Sequence, residues 1–189
     1  GDGGDWNDLS HWVTTSGGST NHTNIPSIND NVYFDVNSFS ATGQTVSISA
    51  GVADCKSMDW TGVINAPTFS IGNELSIYGS LTFTPNMTVS ASSKVSFKST
   101  ETGNTITLAE NRVNSEFVFD GDGGEWTLQD SIYVSSVKVN EGILNTNGSS
   151  IRASSLNVLN TSTMNLSSSN IYLYSGFSSI SSPNFNAGT

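Results

Sequence analysis

The 189 residues read as an all-β chain wound into a parallel β-helix, a β-solenoid, led by an N-terminal capping segment. Three patterns point there. Apolar residues recur at every second position in short units, the period of a strand with one buried face. The units Leu75, Val95, Phe117, Val137 and Leu156 follow one another at steps of 20, 22, 20 and 19 residues, the mark of stacked coils. No segment carries a 3.6-residue apolar stripe. Ser, Thr and Asn make up roughly two fifths of the chain, a composition that competes with helical hydrogen bonding and suits short strands and tight turns.

Residues 1–43 form the expected N-terminal cap or lead-in. They are turn-rich and acidic, with Trp6, Trp12, Val32 and Phe34 as a small apolar set. Residues 44–189 form the expected solenoid of roughly seven coils, about 30 Å long at ~4.8 Å per coil. Its units run from Val46-Ser-Ile48 through Leu75-Ser-Ile77, Val95-Ser-Phe97, Phe117-Val-Phe119, Val137-Lys-Val139 and Leu156-Asn-Val158 to Ile171-Tyr-Leu173. Their apolar members are expected to point inward and stack. A second series, Leu81, Ile106, Trp126, Ile143 and Met164, follows at a similar step. Asn145, Asn147, Asn165 and Asn170 are placed at turns, where stacked amides can bond from coil to coil. A β-sandwich is the rival fold, but it prefers longer strands and hairpin turns, and only Asn147-Gly148 is a good hairpin dipeptide. The C-terminal stretch 178–189 reads as more of the repeat. With no initiator Met or signal-like start, the chain is expected to be a processed protein or a fragment that continues.

The formal charge of −10, from 16 acidic and 6 scattered basic residues, gives no footprint for nucleic acid and disfavours an anionic membrane surface. No apolar run approaches the ~18 residues a spanning helix needs. The lone Cys55 rules out an internal disulfide and a Cys-built zinc site, and reads as a small core residue.

Catalysis on a β-helix needs several acids on neighbouring coils. Most acids here stand alone in turns; only Asp120, Asp122 and Glu125 cluster, and residues 44–189 hold no His. The chain is therefore read as non-enzymatic, with no catalytic residues. Gly121-Asp-Gly-Gly-Glu-Trp126 nearly repeats Gly1-Asp-Gly-Gly-Asp-Trp6. If a cation binds, Asp2, Asp5, Asp120, Asp122 and Glu125 are its candidate ligands, because hard cations want several oxygens on a short flexible loop. Ca²⁺ is the one possible cofactor; the alternative is an acidic turn that feeds a Trp into the core. Tyr133 and Tyr172 fall at outward positions and, with Tyr174, are candidates for sugar contact or for cross-strand cover. Thr-x-Thr pairs are not kept on every coil, which argues against an ice-binding plane.

Gly3-Gly-Asp-Trp-Asn-Asp-Leu-Ser-His-Trp12, Ile25-Pro26, Asp30-Asn-Val-Tyr-Phe-Asp35, Cys55-Lys-Ser-Met-Asp-Trp-Thr-Gly62 and Gly124-Glu-Trp-Thr-Leu-Gln-Asp130 resemble a module of very large secreted proteins of Bacteroidetes. The resemblance covers most of the chain. It implies a right-handed parallel β-helix, export by the type IX system, an extracellular or cell-surface location, and an adhesin-like structural role. Surface glycans or neighbouring modules of the same protein are the implied partners. Asp130-Ser131-Ile132 resembles the short O-glycosylation acceptor of exported Bacteroidetes proteins, with Ser131 as the modified residue. The alternative function is a carbohydrate-binding or carbohydrate-degrading β-helix. The acids 120, 122 and 125 sharing a groove with an outward Tyr would favour it.

Overall fold

The computed structural model describes residues 2–159, 161–175 and, as a strand, 185–187. Among them the chain is a parallel β-solenoid of about six coils, with one short 3-10 turn at Leu9–His11. Each coil lays down three short strands, one per side. The first side carries Gly4–Asp5, Thr45–Ile48, Thr68–Ile71 and Thr88–Ala91 as a four-stranded parallel ladder. Residues 112–113, 132–134, Ile151–Ala153 and Ile171–Leu173 continue that side: Asn111 Nδ2 donates to the Thr84 carbonyl at 2.8 Å, and Ser115 Oγ donates to the Ser93 carbonyl. The second side stacks Ala53–Cys55, Leu75–Ile77, Val95–Phe97, 117–119, 137–139 and Ser155–Val158. The third stacks Val32–Tyr33, Met58–Asp59, Leu81–Thr82, Asn104–Thr107, 126–128, 143–145, Ser162–Ser167 and Phe185–Ala187.

The inward stack read from the sequence is present residue for residue. Val95 pairs with Phe117, Phe117 with Val137, and Val137 with Leu156; Phe97, Phe119, Val139 and Val158 form the parallel column beside it. All eight are buried. The aromatic members pack in both of the favourable geometries: Phe97 lies flat on Phe119 at 4.8 Å, and Phe119 meets Trp126 edge-on at 5.3 Å. The second series needs correction. Ile106 pairs with Leu128 rather than Trp126, and Trp126 pairs with Leu144, which pairs with Met164. Ile143 faces outward and is half-buried, while Leu144 is fully buried. The cause is the long corner before Trp126: register shifts fall between Phe119 and Glu125, and one residue of slip exchanges inside for outside.

Three glycines allow that corner. A Cβ at Gly121 or Gly124 would collide with the Ser99 carbonyl. Gly142, at φ +77°, lies against the Gly124 carbonyl and the Trp126 ring. These glycines are there for close backbone approach beside a buried indole.

Residues 1–43 are tied into the ladders, Gly4 opposite Val46 and Val32 opposite Met58. Their aromatics sit at this end. Phe34 stacks on Trp60 at 3.9 Å, and Trp12 meets buried Trp6 edge-on while its indole N–H donates to the Trp6 carbonyl at 2.8 Å. Cys55 is fully buried, and burial, with Asp54 nearby, pushes its thiol far above the ordinary range. Most of the 178–189 reading lies outside the described residues.

Candidate functional site

Polar side chains on the outside bond from coil to coil. Glu74 accepts Ser96 Oγ at 2.8 Å from the next coil and ion-pairs with Lys94 and Lys98 at 3.2 and 3.4 Å. Burial alone would raise the Glu74 pKa, but the Ser96 and lysine contacts together hold it below its ordinary value. Glu116 repeats the device, accepting Ser136 Oγ at 3.2 Å and pairing with Lys138 at 2.8 Å. The expected amide ladder exists: Asn165 Nδ2 donates to Asn145 Oδ1, and Asn145 Nδ2 to Glu125 Oε1, both at 2.6 Å. Asn145 and Asn165 stand within strands, however, and not at turns. Asp130 accepts the backbone N–H of Leu108 at 2.9 Å and that of Ala109, clamping the turn at Ala109 and Glu110, both in the left-handed region.

The candidate cation ligands fall into the same pattern. Asp2 accepts the Ser40 N–H at 2.8 Å; Asp5 accepts the hydroxyl and N–H of Ser49 and the N–H of Asn7. Serine hydroxyls, Ser40 for Asp2 and Ser49 for Asp5, lead the contacts that hold both carboxyls below their ordinary pKa. At the other loop Asp120 accepts Asn140 Nδ2 at 3.3 Å, Glu125 takes Asn145, and Asp122 is exposed. Among the described residues no three His, Cys, Asp or Glu side chains converge as a metal site would require. A cavity of about 730 Å³ opens between the N-terminal segment and the first coils beside Asp5, His11, Trp12 and Asp35. Asp35 is held below its ordinary pKa, first by the Ser16 hydroxyl that it accepts.

The tyrosines are elsewhere. Tyr133 and Tyr172 project outward from the first side, and with Arg112 and Arg152 they form one column in strict register: Arg112, Tyr133, Arg152, Tyr172. The Arg112 guanidinium lies over the Tyr133 ring at 4.0 Å, and that of Arg152 over Tyr172 at 4.6 Å. Tyr174 stacks beside Tyr133 at 6.3 Å and is 60% exposed; Tyr172 is 42% exposed. Half-buried Tyr133 has one face taken by Arg112. The acids 120, 122 and 125 sit at the corner between the second and third sides and are not brought to these tyrosines. Ser131 is exposed, and its hydroxyl accepts the Ser150 N–H at 3.0 Å.

Neither arginine is among the candidate site residues that the sequence suggests. A signal was there: they are the only two Arg of the chain, and Arg112, Tyr133, Arg152 and Tyr172 follow at steps of 21, 19 and 20 residues, the coil period.

Comparison with family models, curated proteins and solved structures gives no match. Among the described residues no helix is long and apolar enough to cross a membrane.

Proposed function

We propose that the chain is a non-catalytic structural module: a β-solenoid stalk segment of a large, secreted, adhesin-like surface protein, with residues 1–43 covering its first coil. The observation that carries this reading is how the outer carboxylates are used. Glu74, Glu116, Glu125 and Asp130 each accept hydrogen bonds from a neighbouring coil, so exterior polarity is spent on stiffening the stack. A backbone ladder on three sides, reinforced by such bonds, makes a rod that needs no disulfide, and the acidic exterior keeps neighbouring rods apart. The Bacteroidetes resemblance supports surface display by type IX export and partners among glycans or sister modules.

The test is turnover. The purified chain is incubated with a panel of neutral and acidic polysaccharides, and reducing ends and unsaturated products are measured. The reading expects none above the buffer control. Turnover abolished by Asp120→Asn or Glu125→Gln would replace it with the carbohydrate-degrading alternative.

A further inference from the structure

We propose that the outward column Arg112–Tyr133–Arg152–Tyr172, with Tyr174 at its edge, is a binding strip for an anionic glycan running along the solenoid axis. The inference goes beyond the structural reading and does not rest on it, since a rod without the strip is still a rod.

The argument begins with charge. The chain carries −10, and its lysines on the second side are neutralised: Lys94 and Lys98 by Glu74, Lys138 by Glu116. Neither arginine has a carboxylate partner among the described residues, and residues 176–189 contain no Asp or Glu that could supply one. Asp130, in the turn preceding Tyr133, is committed to the Leu108 and Ala109 backbone. The strip is therefore a local positive line on an acidic molecule.

Geometry adds to this. Each guanidinium lies over a tyrosine ring, which fixes a long side chain that would otherwise lose entropy on binding. Arg112 Nε is spent on Asn114 Oδ1 at 2.9 Å, leaving its terminal N–H groups as a fork for an oxyanion. Two coils separate the arginines, about 9–10 Å of axial rise. That is close to the length of two sugar units in an extended polysaccharide, so both forks can meet charges on one chain. Tyr172 has one ring face covered by Arg152 and Tyr174 one side stacked on Tyr133, and what remains exposed of both rings offers flat apolar cover for a pyranose face. Two cations are too few to hold a nucleic acid by phosphate contacts alone.

The test uses affinity electrophoresis of the whole chain in gels containing polygalacturonate, dextran sulfate, neutral dextran or oligothymidylate. Wild type is expected to be retarded by polygalacturonate or dextran sulfate, and less so as salt rises. Preference for the first identifies a carboxylated ligand and for the second a sulfated one; both support the strip. Arg112→Gln with Arg152→Gln should weaken retardation by about tenfold or more in apparent affinity. Lys56→Gln with Lys94→Gln makes the same charge change on other surfaces and should leave it within about twofold. Circular dichroism and urea midpoints confirm folding; if the double variant does not fold, single changes at exposed Arg152 to Gln and Lys replace it, with Lys intermediate. No retardation by either polyanion, equal loss in the lysine control, equal retardation by neutral dextran, or a preference for oligothymidylate would overturn the proposal.

Discussion

Leu144→Ala and Ile143→Ala, a pair of adjacent substitutions, should differ sharply in cost. Leu144 is fully buried and stands in the ladder between Trp126 and Met164. Truncating a buried leucine costs about 2–5 kcal/mol, depending on how far the cavity collapses. Trp126 is pinned by its glycine corner and cannot follow, whereas Met164 is a flexible neighbour that can lean in. The middle of the range, about 3 kcal/mol, is expected. Ile143 faces outward opposite Thr163 and is half-buried, so its truncation should cost about 1 kcal/mol or less. With a urea slope near ~2 kcal/mol/M, the midpoints should fall by ~1.5 M and by under ~0.5 M. Equal losses, or the larger loss at Ile143, would refute the register of the third side.

Asp130→Ala strips the partner from two backbone N–H groups and should cost about 1–3 kcal/mol in urea unfolding, while exposed Asp122→Ala should cost almost nothing. Gly124→Ala drives a methyl toward the Ser99 carbonyl and the Trp126 ring and should cost about 1–3 kcal/mol, with a shift in tryptophan fluorescence. Acid should act through the serine-bonded aspartates. Asp5 and Asp35 titrate lower when folded than unfolded, so their contribution is complete above the unfolded value near ~4 and is lost as pH falls through the folded one. Tm should therefore be level from about pH 7 to 5 and fall below about pH 4, less steeply in Ser49→Ala; a decline already at pH 6 would contradict this. Because Asp2, Asp5, Asp120 and Glu125 already accept protein hydrogen bonds, Tm should be the same in chelator and in excess Ca²⁺; a rise with Ca²⁺ would assign those loops to a cation.

The second-side core was legible because its strands keep one inward phase: Phe97, Phe119, Val139 and Val158 repeat with the coil. The third side was read one residue out at Ile143, because the corner from Asp120 to Glu125 adds residues that a fixed step does not count. The Gly-Asp-Gly-Gly-acid-Trp segments drew attention as cation loops on composition alone. In the second of them Gly121 and Gly124 answer to close contact with Ser99 and Trp126, and in the first Gly3 lies against the Thr45 backbone and Gly4 against the His11 ring, causes that depend on contacts beyond the segment itself. The tyrosines were placed correctly as outward, but their arginine partners lie a full coil away along the chain, where no local motif joins them.

The parallel in-register stack is the claim on which the rod, the polar ladders and the arginine strip all depend. Interstrand nuclear Overhauser contacts in the isotope-labelled chain test it directly. The expected pattern links Val95, Phe117, Val137 and Leu156 in one sequential column, with backbone contacts of parallel strands between each neighbouring pair. Close Hα–Hα contacts of antiparallel pairs between any of these strands, or Phe97 and Phe117 on opposite faces, would contradict it.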